Sequence, residues 1–247
     1  MFIKFILPRS QYMYYKKIIW EMINLKLAKK LGRLAQGFLE RYVFGSFIQN
    51  FLWRWRHLYK KGWTKTSLES KNGKLITSEI ASFDNVQSVL EIGCASAPNL
   101  RLLREKLPSA QLTGIDINKQ YIRTANDYFR SANDDKVNLL AMTMDQLDEF
   151  QDKSFDVVFT QAVLLLVPPS NINKVIAGML RLSRKAIVLN ELHLDAANEG
   201  FFDEGRWVHD YYSIIRRQYP EANISMQKTD FKGGSWDLYG NLITVML

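Results

Sequence analysis

The sequence predicts an α/β fold: a mostly parallel sheet with an antiparallel last strand, preceded by an N-terminal helical extension. Three observations carry this. From residue 86 onward short apolar runs alternate with helix-period stretches, as in repeated strand–helix units. Residues 89–99, VLEIGCASAPN, pass from a strand through a run of small residues into a helix. The chain closes on two strand-like runs, 224–228 and 241–247, separated by the turn-rich KGGSW, which pair antiparallel.

Taken in order, residues 12–31 and 34–59 read as helices, because Ile19, Ile23, Leu27, Leu31, Leu34, Phe38, Tyr42 and Phe51 recur at spacings compatible with a 3.6-residue period. Gly32 and Gly45 are candidate breaks. A linker over 63–70 and a short helix over 75–83 lead into the first strand, 86–92. Gly93, Ala95, Ser96 and Ala97 then keep side chains away from the backbone N–H groups of the turn, and Pro98 suits the first turn of a helix over 99–107. The second strand, 111–116, ends on Asp116, and Asn118 caps the next helix through Tyr121, Ile122, Ala125 and Phe129. Strands over 137–142, 154–160 and 185–190 follow, with a helix over 172–182 after the stop at Pro168-Pro169. His209 and Asp210 enter a further helix that ends by Pro220.

Charge is divided along the chain. Residues 1–74 hold sixteen Lys or Arg against three Asp or Glu, a balance of +13, whereas residues 75–247 hold seventeen against twenty-two, or −5. The chain therefore divides into a basic, aromatic-rich extension and linker, 1–74, and a mildly acidic domain, 75–247. Trp and Tyr interleaved with Lys and Arg over residues 1–60 suit an anionic membrane surface. Packing on the core or in a homodimer is the alternative, and nucleic acid is the weaker reading, because no RNA-binding module is recognisable. The longest charge-free apolar run in the extension has twelve residues, where a membrane span needs about twenty, and MFIKFILPRS lacks a cleavage site for secretion. The single cysteine, Cys94, excludes a disulfide framework, and with only three histidines no metal site is expected. A reducing, cytoplasmic location, with or without membrane association, is the simplest expectation.

The turn carries the chemistry. In a parallel α/β sheet a nucleotide-like cofactor sits at the carboxyl end of the first strand. Asp116, at the end of the second, can accept two hydrogen bonds from the vicinal hydroxyls of a ribose, or cap the following helix. The pattern Glu91-x-Gly93 followed by small residues, with Gly114-Ile115-Asp116 about twenty residues on, resembles the class I, Rossmann-like S-adenosylmethionine-dependent methyltransferases. Where that family has Gly-x-Gly-x-Gly, this chain reads Gly93, Ala95 and Ala97.

The resemblance implies a seven-stranded sheet over residues 75–247, S-adenosylmethionine as cofactor, and methyl transfer to a small molecule, sugar or lipid. It implies cofactor contacts from Glu91, Gly93, Ala95, Asp116 and Ile117, from Met144 or Asp145 toward the adenine, and from Thr160 and Gln161 toward the methionine part. Trp63, Lys65 and Thr66 are lid candidates on the same ground. No histidine occupies the segment QAVLLLV, 161–167, where many relatives have one. Asn190, Glu191 and His193 project from the carboxyl end of the fifth strand, the same edge as the cofactor turn, and Glu191 and His193 are the candidate catalytic base, or a pair that fixes the loop. The alternative to an enzyme is a cofactor-binding scaffold without chemistry, suggested by Ala95, Ala97 and that missing histidine.

Overall fold

A computed structural model describes residues 71–197, 200–203, 206–231 and 233–247. The predicted helices of the extension, its basic aromatic face and the 63–70 linker lie outside the described residues.

Helix α1 (Lys71–Ala81) starts before the expected residue 75 and leads into β1 (Ser88–Ile92). There follow α2 (Pro98–Lys106), β2 (Gln111–Ile115), α3 (Lys119–Ser131), β3 (Val137–Leu140) and β4 (Phe155–Gln161). Next come α4 (Pro169–Leu182) and β5 (Ser183–Leu192), then a short hairpin of β6 (Phe201–Asp203) and β7 (Arg206–Val208), and α5 (Tyr211–Gln218). The chain ends through β8 (Asn223–Lys228), α6 (Ser235–Tyr239) and β9 (Gly240–Met246).

The main sheet has seven strands in the order β3-β2-β1-β4-β5-β9-β8. Strands β1 to β5 run parallel, and β9 inserts antiparallel between β5 and β8. The order reverses between β1 and β4, so their carboxyl ends open the crevice where ligands bind in such sheets.

Burial on both faces explains the continuous apolar strands. One layer packs Ile76, Ile80, Leu100, Leu103, Ile122 and Phe129 of α1–α3 on Val89, Val157, Phe159 and Val188. The other packs Ile172, Ile176, Met179 and Ile215 of α4 and α5 on Leu90, Ile92, Val158, Ile187 and Ile243. Each such side chain contributes about 1.5–3 kcal/mol on burial.

Local chemistry sets the helix starts. Asn118 caps α3 as predicted, its Oδ1 accepting from the N–H of Gln120 at 3.0 Å and of Tyr121 at 3.4 Å. Asp210 caps α5 by accepting from Ser213 N at 2.9 Å. Two elements differ from expectation. The hairpin β6–β7 occupies a segment to which the sequence assigns no element, and helix α6 begins within the turn-rich KGGSW, since three-residue strands and a five-residue helix are too short to show a period. Asp156 is structural, as expected of it: it accepts from Gln87 N at 2.7 Å, Ser88 N at 3.1 Å and Arg184 Nε at 3.1 Å.

Candidate active site

At the end of β1, Glu91 is buried, and its Oε1 accepts from Asn99 Nδ2 at 2.6 Å, tying the strand to the first turn of α2. Its Oε2 is buried without a partner. Burial pushes the Glu91 carboxyl up to about 8; the Asn99 bond opposes this and the Asp116 charge adds to it.

The turn after β1 folds onto β2. Gly93 N and Cys94 N both donate to Ile115 O, at 2.8 and 2.9 Å, and Ala97 N donates to Cys94 O at 2.7 Å. Gly93 has φ +77°, and a Cβ there would lie 2.4 Å from Val163 Cγ2, so both backbone angle and space demand glycine. Ala95 and Ala97 also have positive φ, 49° and 59°. The alanines that replace glycine therefore keep the glycine conformation, at about 1–2 kcal/mol each.

Asp116 stands beside this turn. Its Oδ2 accepts from Ala95 N at 2.9 Å and its Oδ1 from Asn118 N at 2.7 Å. Burial raises its pKa, opposed by those two N–H groups. Each oxygen keeps a second lone pair for a hydroxyl donor. Ile117 is half-buried beside it. Met142 N donates to Asp116 O at 3.2 Å, which brings the segment after β3 alongside. That segment is a 3₁₀ turn, Met144–Glu149, closed by a Thr143/Gln146 capping box. Met144 packs inward, Asp145 is exposed, and both line a groove of about 210 Å³ against α4.

At the end of β4, Thr160 is fully buried, and Gln161 presents a buried Oε1 without a partner. Ala162, at φ +56°, turns the chain into Val163 and the 3₁₀ turn Leu164–Leu166. Glu191, fully buried, lies under that turn: Oε1 accepts from Val163 N at 2.9 Å and Oε2 from Leu165 N at 3.3 Å. Burial raises its carboxyl to about 7 against the pull of those bonds.

His193 packs elsewhere. Its Nδ1 lies 3.2 Å from Tyr211 N and 3.1 Å from His209 O, and its Nε2 lies 3.0 Å from Asp195 Oδ1. No hydrogen bond joins Glu191 to His193 among the described residues. Ligand atoms of His193, Asp195 and Asp210 lie within 4.8 Å of one another, where sequence reasoning expected no metal site. Asp210 is already committed to the N–H groups of Ala196 at 3.0 Å and Ser213 at 2.9 Å.

The structure thus gathers Glu91, Gly93, Ala95 and Asp116 around one turn, with Ile117 beside it, and sets Thr160 and Gln161 at the end of the strand next to β1. Sequence reasoning missed Asn99 as the partner of Glu91, whereas Asn190, which it placed at this sheet edge, is a buried polar group there. Chemically, Gln161 Oε1, the spare lone pairs of Asp116 and, once its carboxyl is ionised, Glu91 Oε2 form a set of acceptors that calls for a ligand rich in N–H and O–H donors.

Comparison with known proteins agrees with this geometry. The profile of a family described as methyltransferase domain matches residues 89–186. A search of curated protein sequences returned no significant match. Among solved structures, the chain is similar to magnesium protoporphyrin IX methyltransferase from Synechocystis PCC 6803 with bound SAM, at 15% identity and a TM-score of 0.55, covering 87% of this chain and 96% of that one. It is similar to 1,6-didemethyltoxoflavin-N1-methyltransferase of Burkholderia thailandensis, at 11% identity and a TM-score of 0.61, covering 81% and 86%. The [4+2]-cyclase SpnF shares the fold at 17% identity and a TM-score of 0.53, covering 70% and 80%. Residues 89–186 therefore match the family described as methyltransferase domain, on a chain that shares the Rossmann-like fold of these class I methyltransferase structures.

Proposed function

We propose that this protein binds S-adenosylmethionine at the turn after β1 and transfers its methyl group to a small-molecule acceptor at the carboxyl edge of β4 and β5. The observation that carries the reading is the acceptor set around that turn. The cofactor's α-amino group would supply N–H donors to Glu91 Oε2 and Gln161 Oε1, and its ribose hydroxyls would meet Asp116. Ile117 and the Met144–Asp145 segment border the adenine side. When bound, the cofactor supplies an electrophilic methyl group, so the protein's task is to align an acceptor and take up its proton.

In this reading Glu191 is a positioning residue, since its carboxylate oxygens hold the Val163 and Leu165 N–H groups and so shape the turn that covers Gly93. His193 takes up the proton in the tautomer that donates Nδ1–H to His209 O, which leaves Nε2 bare once the exposed Asp195 side chain swings away. The test is the thermal midpoint of the full chain in S-adenosylhomocysteine: binding raises it saturably by mass action. An unchanged midpoint at millimolar ligand refutes the reading.

A second reading, a scaffold that keeps the cofactor without chemistry, is favoured by the positive φ of Ala95 and Ala97 and by the absence of histidine from 161–167. Methyl-labelled cofactor that binds, but whose label never leaves the protein for any acceptor, would select it. We further propose that residues 1–74 form a separate extension whose first 60 residues bind an anionic membrane surface, on the strength of the +13 balance and its interleaved aromatics. Salt-sensitive co-sedimentation with anionic but not neutral vesicles is expected. Among the described residues no helix is long and apolar enough to cross a membrane.

A further inference from the structure

Asn190, near the carboxyl end of β5, is 0% exposed, and neither its Nδ2 nor its Oδ1 has a hydrogen-bond partner. Its register partner on β4 is Gln161, whose buried Oε1 is likewise without one. Paired residues on neighbouring parallel strands point to the same face about 5 Å apart. Two amides so placed could satisfy each other, and these do not. A third buried amide oxygen without a partner, Asn72 Oδ1, belongs to the first turn of α1. That turn lies toward the same edge of the sheet. Lys185, at the start of β5, reaches the carbonyls of Asp84 and Asn85 at 3.0 and 2.6 Å, just beyond the end of α1, and Glu79 meets Thr244 opposite Val188 at 2.7 Å. Helix α1 therefore runs antiparallel to β5, with Asn72 toward the carboxyl ends.

Buried polar groups are nearly always paired, because an orphaned one costs its full desolvation; orphans gathered at one sheet edge mark a place where a ligand completes the set. We propose that Asn190 is a specificity residue for the methyl acceptor, reading a neutral edge that carries one donor and one acceptor side by side, as in an amide or lactam. This rests on the methyl-transfer reading given above. A primary amide presents that same pair of groups, so it complements such an edge with two hydrogen bonds. Charged acceptors are disfavoured. A charged acceptor there would be desolvated without a counter-charge, since Asn190 and Asn72 are neutral, Glu91 is taken by the cofactor's α-amino group in that reading, and the adjacent Glu191 points to the opposite sheet face, where the Val163–Leu165 turn holds it.

The test is a titration of the ¹⁵N-labelled full chain, with and without S-adenosylhomocysteine, using 2-pyrrolidinone as the lactam probe and acetate and methylammonium as charged probes. The side-chain amide resonance of Asn190 is identified by its loss in Asn190→Leu. A saturable shift with 2-pyrrolidinone, several-fold larger than with either ion, is expected. No response to the lactam, as for an edge that holds only water, or an equal response to acetate overturns the proposal. Asn190→Leu is also expected to raise the thermal midpoint, because it removes two orphaned polar atoms at similar volume. A lowered midpoint would make Asn190 structural and overturn the assignment. Failure of S-adenosylhomocysteine to bind would count against the methyl-transfer reading alone, since the lactam titration without it is scored separately.

Discussion

Replacing Ala95 by glycine should stabilise the protein, and replacing Ala97 should not. Both residues hold positive φ, 49° and 59°, and a Cβ in that region costs about 1–2 kcal/mol. Glycine removes this strain but adds about 0.4–1 kcal/mol of conformational freedom to the unfolded chain. For the half-exposed Ala95 the balance is a gain of about 0.5–1 kcal/mol. Ala97 is 0% exposed and packs within the layer formed by α1–α3, so its glycine variant also loses a buried methyl, about 0.8 kcal/mol, and ends near zero. Urea unfolding of wild type and both variants, followed by far-UV circular dichroism, measures the difference. A destabilised Ala95→Gly, or a larger gain at Ala97 than at Ala95, would refute the assignment of strain to this turn.

The remaining predictions concern the same turn and its buried acids. Gly93→Ala should cost about 2–4 kcal/mol, because the new Cβ meets Val163 Cγ2 at 2.4 Å and φ is +77°. Adding Val163→Ala should recover the steric part of that loss in the same unfolding assay; no recovery would leave the conformational cost alone responsible. Glu91 and Glu191 have folded-state pKa values raised to about 8 and about 7, above the ordinary 4.5, so the stability they contribute is fully present below 4.5 and is lost as pH rises through 7 and 8. His209, held near 4 by burial, acts in the opposite sense, its neutral form supporting the fold above 6.5 and that support being lost as pH falls toward 4. Between pH 6.5 and 8 the carboxyls therefore dominate, and unliganded stability should fall with a slope of at most about 1.4 kcal/mol per pH unit for each. Glu91→Gln should flatten the upper part of that slope, and stability that rises with pH across this window would contradict the burial assignment.

Much of the sheet is legible in the sequence because β1, β2, β4 and β5 are buried on both faces and so read as unbroken apolar runs. The terminal β8–β9 pair shows through its turn residues. The β6–β7 hairpin is not legible, since its three-residue strands are too short to carry a period even though Trp207 and Val208 are buried. At the site, Glu91, Gly93 and Asp116 are readable because their spacing reports a strand–turn–helix geometry. Other properties depend on tertiary packing. The sign of φ at Ala95, the backbone N–H groups that claim both oxygens of Glu191, and the orphaned amide of Asn190 appear only once the strands are in register. Glu191 and His193 illustrate the limit. Two residues apart on one strand end they look like partners, yet Glu191 holds the turn after β4 while His193 contacts Tyr211, His209 and Asp195.

The cofactor site is tested most directly by calorimetry of S-adenosylmethionine against wild type, Asp116→Asn and Asp116→Ala. Wild type should bind saturably at one site. Asp116→Ala should lose about 1–3 kcal/mol, roughly 5- to 150-fold in affinity, because the ribose hydroxyls lose a charged acceptor. Asp116→Asn, which keeps an oxygen for one of the two N–H groups now held by Asp116 and sets its amide N–H against the other, should fall between the two. Folded variants that bind as tightly as wild type, or a folded wild type that shows no heat of binding, would contradict the account.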